Sequence, residues 1–251
     1  MDEILQIKEL TKIFYKRGKP ILAVDHVGFH VKQGECLSIV GKSGCGKTTL
    51  ANMITGFTKP DEGSIQFLGK KIENLKRGEM KHIYQHMQMI FQNPLESFNP
   101  RIKMTEALTE NMKNTGFGHR EKKERAYDLL KECGLEKMHG DRYPHQISGG
   151  ECQRAAIARA LASRPKILIC DEITASLDLI SRQGVVDLLL NLQRKEALTI
   201  LFISHDLDVV NEISHRILHM EQGKMSYKTD KKEEEHEGFC GKKERIAAWN
   251  S

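Results

Sequence analysis

The sequence predicts an α/β fold built around a parallel sheet, and three observations carry that prediction. The apolar run Cys36-Leu37-Ser38-Ile39-Val40 reads as a buried strand, and Thr49-Leu50-Ala51-Asn52-Met53-Ile54 reads as the first turns of a helix. Between them Gly41-Lys42-Ser43-Gly44-Cys45-Gly46-Lys47-Thr48-Thr49 fits the G-x-x-x-x-G-K-[ST] pattern, a loop that wraps phosphate oxygens with backbone N–H groups. Two later apolar runs, Ile167-Leu168-Ile169-Cys170-Asp171-Glu172 and Thr199-Ile200-Leu201-Phe202-Ile203-Ser204-His205-Asp206, each end in ionisable side chains. In a parallel α/β sheet ligands bind outside the carboxyl ends of the strands, so these ends fall at the same edge as the glycine loop.

Taken in order, residues 4 to 90 read as antiparallel strands, then the loop strand and its helix. A strand pair follows around Lys59-Pro60-Asp61-Glu62-Gly63-Ser64, whose Pro/Asp/Gly cluster reads as the turn between apolar segments. From Asn93 to about Ser163 the pattern becomes helical, as in Glu121 to Cys133, where Ala126, Leu129, Leu130 and Cys133 share one face. Ile147-Ser148-Gly149-Gly150-Glu151-Cys152-Gln153-Arg154 is a second small-residue turn, opening a helix from Cys152 to Ala162. From Ile167 strand and helix alternate again, which right-handed crossovers turn into a parallel sheet. After Tyr227 the chain is charged and nearly free of aliphatics, so residues 228–251 are expected to form a mobile tail.

Composition narrows the class. With 251 residues the chain is long enough to bury about 70–75% of its unfolded surface, and 39% hydrophobic with 29% charged residues is typical of a soluble globular protein. No apolar run approaches the roughly 18 residues of a membrane span, and the acidic start Met1-Asp2-Glu3 is no signal peptide. The net charge of +5 gives no reason to infer a nucleic-acid partner. The six cysteines contain no C-x-x-C pair and read as reduced cytosolic thiols. His82 and His86 lie four apart on an expected helix face, and His219 falls in a strand-like run after His215. With no third ligand apparent, neither pair reads as a metal site.

The chemistry of the loop follows from its residues. The glycines permit close backbone approach, Lys47 supplies a point charge to β/γ-phosphates, and Thr48 offers a hydroxyl to Mg²⁺. With these motifs in this order, the chain from roughly Leu5 to Met225 resembles the ATP-binding subunit of an ABC transporter. Gly41 to Thr48 matches its Walker A motif, Gln92 in Met89-Ile90-Phe91-Gln92 its Q-loop, and Ser148-Gly149-Gly150-Glu151 its signature motif. Asp171 matches the Walker B aspartate, Glu172 the catalytic glutamate, Ser176-Leu177-Asp178 the D-loop and His205 the switch histidine. Phe14 or Tyr15 falls where the family stacks an aromatic ring on adenine, with Phe14 favoured by its register from Leu10.

The resemblance implies a P-loop NTPase cassette: a RecA-like parallel core, an antiparallel β subdomain and an inserted helical subdomain at about 93–163, all within residues 1–227. It implies ATP and Mg²⁺ as cofactors. The nucleotide would touch Phe14, Gly41, Lys42, Ser43, Gly44, Cys45, Gly46, Lys47, Thr48 and Thr49. Thr48, Gln92 and Asp171 would hold the metal, Glu172 would deprotonate the attacking water, and His205 would donate to the γ-phosphate. Ser148, Gly149, Gly150, Glu151 and Asp178 would meet the nucleotide of a second subunit, identical or paralogous, in a head-to-tail dimer. Two departures stand out: Glu151 replaces the usual signature Gln, and Ile147 the usual Leu.

Asn93-Pro94-Leu95-Glu96-Ser97-Phe98-Asn99-Pro100-Arg101 is similar to the extended Q-loop of importers for oligopeptides, dipeptides and nickel, where the ATPase meets the permease. The short tail and the run from Ser176 to Val185 resemble the nickel-type ATPase better than the peptide type. The expected function is therefore an importer motor on the cytoplasmic face of a bacterial membrane. It would serve two permeases and, indirectly, an extracytoplasmic substrate-binding protein, for a nickel or metal chelate or an oligopeptide. Two readings compete: a soluble ABC ATPase acting on DNA or ribosomes, and a cassette that binds ATP without turning it over. The absence of a long coiled coil or second cassette weighs against the first, and the presence of Lys47, Asp171, Glu172 and His205 against the second.

Overall fold

In a computed structural model, which describes residues 2–112 and 116–227, the N-terminal segment forms a long hairpin. Strands β1 (Glu3–Lys16) and β2 (Lys19–Lys32) pair antiparallel around Arg17 and Gly18, both at positive φ. The chain then enters β3 (Cys36–Val40), the glycine loop and helix α1 (Lys47–Ile54). Next come β4 (Glu62–Phe67) and the short β5 (Lys70–Lys71). Here the sequence reading needs correction. The Lys59–Ser64 cluster does not join two paired strands; it leads from α1 into β4, whose partner on one side is β1. The local pair is β4 with β5, across Leu68 and Gly69 at positive φ. Proline, aspartate and glycine mark a change of direction, but they carry no information on which distant strand closes the pair. The resulting four-stranded sheet runs β2-β1-β4-β5.

Helix α2 (Arg77–His86) and strand β6 (Met87–Ile90) follow, then helices α3 (Met104–Glu110), α4 (His119–Glu132), α5 (Lys137–Gly140) and α6 (Gly149–Leu161). Helix α4 buries Ala126, Leu129 and Leu130, with Cys133 buried just beyond it, the face the periodicity predicts. Helix α6 starts before the expected Cys152, because Ser148 caps it. The alternation β7 (Ile167–Asp171), α7 (Leu179–Glu196), β8 (Thr199–Ser204), α8 (Leu207–Ile213), β9 (Arg216–Glu221) and β10 (Lys224–Tyr227) completes a six-stranded sheet of order β10-β9-β3-β8-β7-β6. Strands β9, β3, β8, β7 and β6 are parallel neighbours, and β10 is antiparallel at the edge. The expected charged tail, residues 228–251, lies outside the described residues.

Both faces of the parallel core are covered. Leu37, Ile39, Ile167, Ile169, Leu201 and Ile203 pack with Leu5, Ile7 and Phe67 of the antiparallel sheet and Leu50 of α1. Their neighbours Cys36, Leu168, Cys170, Ile200 and Phe202 face the helical side, against Leu129, Ala155, Val185 and Leu189. Successive strand residues point to opposite faces, so a strand buried twice reads as an unbroken apolar run. Each fully buried Leu, Ile, Val or Phe among them contributes about 1.5–3 kcal/mol. That packing fixes the carboxyl ends of β3, β7 and β8 side by side. His215 is part of the same frame: its Nδ1 accepts the Cys36 N–H at 3.0 Å, while His219 lies in β9. Among the described residues no helix is long and apolar enough to cross a membrane.

Candidate functional site

The glycine loop is held in a shape that only glycine allows. Gly44 has φ +77° and Gly46 has φ +111°, a backbone region that side chains strain to enter. A Cβ on Gly46 would stand 2.2 Å from the Ala23 carbonyl oxygen, and one on Gly41 2.2 Å from that of Met220. The loop is therefore threaded between β2 and β9. Gly46 also begins α1 without a side-chain cap, so the first N–H groups of the helix remain available to an anion.

Lys47 turns back under the loop. Its Nζ donates to the carbonyls of Gly41 at 2.7 Å and Lys42 at 3.0 Å, and lies 3.4 Å from Glu172 Oε1. The lysine side chain is 3% exposed. Glu172, one residue beyond β7, takes a left-handed conformation at φ +49°, while its N–H donates to the Ile203 carbonyl at 2.9 Å. That conformation is uncommon for a non-glycine residue, and the bond to Ile203 fixes it here. The same Oε1 lies 3.5 Å from Nδ1 of His205, which follows β8. A cation, a carboxylate and an imidazole thus converge at three adjacent strand ends.

Asp171 sits behind them, buried at 3% exposure. Burial pushes its carboxyl up from the usual range; the Thr48 hydroxyl pulls it back, the Glu172 charge adds to the rise, and Lys47 opposes it. Its Oδ1 is buried without a hydrogen-bond partner. An orphaned carboxylate oxygen beside a threonine hydroxyl is a costly arrangement alone and a fitting donor set for a hard divalent cation, so the residues present suit Mg²⁺.

In front of the cluster lies a cleft of about 380 Å³ lined by Ser43 to Thr49, Gln92 and Glu172. The sequence reading missed its other wall: Ile21, Leu22 and Ala23 of β2 with Gln222 and Gly223 of the β9–β10 turn. Phe14 is not among the lining residues, but pairs across the hairpin with Ile21, which is; Tyr15 pairs with Pro20. Phe14 is half-exposed and has Lys12 Nζ 5.5 Å from its ring centroid. Cys45 lines the cleft with its sulfur 4.0 Å from Lys47 Nζ.

Ser148, Gly149, Gly150, Glu151 and Asp178 do not line this cleft. They meet one another instead: a Cβ on Gly150 would stand 2.7 Å from Ser181 Oγ, in the first turn of α7. Each polar member has a local role. Ser148 Oγ accepts the Glu151 N–H at 3.3 Å, and Glu151 Oε2 accepts the Ser148 N–H at 2.7 Å, a reciprocal cap on α6. Asp178 Oδ1 caps α7 by accepting from the Ile180 and Ser181 N–H groups; the Ser181 hydroxyl first, and then these N–H groups, hold its carboxyl below the usual range. The Ser148 bonds lower the Glu151 carboxyl likewise. Beyond Gly149 there is open space.

A family model described as "ABC transporter" matches residues 24–175. The oligopeptide transport ATP-binding protein OppF of Escherichia coli (strain K12) is 41% identical over 220 residues, covering 87% of this chain and 66% of that protein. AppF of Bacillus subtilis, also named an oligopeptide transport ATP-binding protein, is 40% identical over 92% of this chain and 73% of its own length. The chain thus spans about two-thirds of the length of these relatives. Among solved structures, the dimeric ATP-binding cassette MJ0796 in a post-hydrolysis state with ADP and Pi matches with a TM-score of 0.83 at 30% identity, over 90% of this chain and 98% of that one. CbiO1 from Clostridium perfringens, part of the transporter complex cbiONQ, matches with a TM-score of 0.81 at 28% identity, over 95% and 92%.

Proposed function

The chain belongs to the ABC transporter family, and on that premise we propose that it is the ATP-hydrolysing subunit of a bacterial importer. Residues 1–227 form the nucleotide-binding domain, with the helical insert at about 93–163. It works at the cytoplasmic face of the membrane as a head-to-tail pair with an identical or paralogous ATP-binding subunit, on two permeases fed by an extracytoplasmic binding protein. The observation that carries the reading is the convergence of Lys47, Glu172 and His205 beside buried Asp171 at neighbouring strand ends.

Each residue then has a task. The loop amides and Lys47 bind the phosphates, and the Ile21–Ala23 wall borders the rest of the nucleotide. Glu172 accepts the proton of the attacking water. His205 faces the γ-phosphate, where negative charge grows in the transition state. Thr48, Gln92 and Asp171 would hold Mg²⁺, which when bound would supply charge neutralisation at the phosphates. The Ser148-Gly149-Gly150 turn, with Ser148 and Gly149 exposed, Gly150 buried and Asp178 nearby, receives the nucleotide bound by the partner subunit.

For the transported class we favour oligopeptides over a nickel chelate. The relatives compared are named for peptides, and the Asn93–Arg101 frame fits both groups. Replacing Glu172 with Gln should preserve ATP binding, lower hydrolysis by about 10²–10⁴-fold and accumulate ATP-bound pairs on a sizing column. Turnover at the wild-type rate would remove Glu172 from the role of base. The importer assignment is tested at Leu95, 46% exposed in the segment after Gln92. A Leu95→Cys chain should crosslink to a permease loop in the reconstituted complex. Crosslinks only from a distant surface cysteine would put the docking face elsewhere.

A further inference from the structure

Glu151 stands where the family's signature turn has glutamine, so a full negative charge lies in the first turn of the helix that must receive a partner's phosphate. One carboxylate oxygen, Oε2, is tied to the Ser148 N–H at 2.7 Å. The other, Oε1, lies 3.1 Å from Nε2 of His139, and the two side chains are only 13% and 27% exposed. The partner of Nε2 is a carboxylate held below its usual range, and an ionised carboxylate only accepts. Nε2 therefore carries a proton aimed at Glu151, while Nδ1 lies 3.0 Å from the Glu136 nitrogen and 3.2 Å from the Glu136 carbonyl oxygen. The histidine is itself well anchored. Gly140, the next residue, accepts the Thr105 hydroxyl at 3.0 Å, and a Cβ there would lie 2.7 Å from Thr105 and 2.8 Å from Tyr127.

We propose that His139 is a positioning residue for the signature turn. Its Nε2–H and the Ser148 N–H together hold both Glu151 oxygens back from the helix end. The Gly149 and Gly150 amides and the Ser148 hydroxyl hydrogen, which is free because Oγ accepts from Glu151, then stay open to the γ-phosphate of ATP bound by a second copy. The proposal rests on the reading that this turn acts across a subunit pair. It also accounts for the glutamate. A glutamine offers one oxygen to two donors, so to meet its NH₂ the ring would have to move its proton to Nδ1, toward the Glu136 carbonyl, and give up the Glu136 N–H. His139 with its proton on Nε2 fits a carboxylate better than an amide.

The test is a double-mutant cycle on the full chain in the Glu172→Gln background, with ATP-dependent pairing followed by sedimentation. His139→Ala should weaken pairing about tenfold, the usual weight of a hydrogen bond to a charged group. Glu151→Gln should weaken it too. Adding His139→Ala to Glu151→Gln should change pairing by less than about twofold, because the bond from His139 to the carboxylate is already lost. Binding of a fluorescent ATP analogue to the single copy should be unchanged throughout, which shows that the variants fold. A merely structural histidine would give additive losses in both backgrounds, and that result overturns the proposal, as does a silent His139→Ala. If the parent binds ATP and never pairs, the subunit-pair reading itself fails, and the role of His139 with it.

Discussion

Two helices in this molecule begin at glycine-rich turns, and they begin differently. Helix α1 starts at Gly46 with φ +111° and no side-chain cap, so its free N–H groups open onto the cleft beside buried Lys47. Helix α6 starts at Ser148 with a reciprocal cap from Glu151, and that carboxylate is held a second time by His139. An uncapped start leaves donors that a ligand must satisfy, whereas a capped one is stable by itself and leaves only part of its surface for others. The contrast separates a site that the chain completes alone from a surface it offers outward.

The strongest way to break the contrast is at Gly46. Alanine there would place a methyl group 2.2 Å from the Ala23 carbonyl and force φ +111° on a side-chain-bearing residue. Backbone strain of that kind alone costs about 1–3 kcal/mol, and the clash adds to it. Gly46→Ala should abolish ATP binding by titration calorimetry and lower the thermal midpoint by several degrees. A folded variant with unchanged affinity would show that loop shape is not what holds the phosphates.

That experiment also marks what the sequence makes readable. The strands β3, β7 and β8 are legible because burial on both faces makes them continuous apolar runs, and their ends carry Asp171, Glu172 and His205 to one edge as a consequence. The second wall of the cleft is not legible. Ile21, Leu22 and Ala23 reach it because the hairpin folds back over the loop, and Gln222 and Gly223 arrive from the far end of the chain. No local pattern encodes such contacts, and the same limit produced the misplaced strand pair at Lys59–Ser64, since β4 pairs with β1 from Thr11 opposite Glu62 to Leu5 opposite Phe67. The bond from His139 to Glu151 is hidden for a different reason. A histidine in a short polar helix has no sequence signature until its neighbours are placed.

The smaller prediction sharpens the contrast at Ser148, where capping and anion reception coincide in one hydroxyl. Ser148→Ala removes the Oγ that accepts the Glu151 N–H, which should cost about 1 kcal/mol, or roughly 2–4 °C in a chain of this size. ATP binding to the single copy should not change, because Ser148 does not line the cleft. That variant alone leaves open whether any loss of pairing comes from a frayed helix or from a missing donor to phosphate. Ser148→Asp separates the two. Aspartate is as good an N-cap as serine, so thermal stability should stay near wild type. Its charge, however, would face the incoming γ-phosphate with no hydroxyl hydrogen to offer, and ATP-dependent pairing should be lost. If Ser148→Asp pairs as well as the wild type, the α6 turn serves its own helix only, and the phosphate of the partner's nucleotide is received elsewhere.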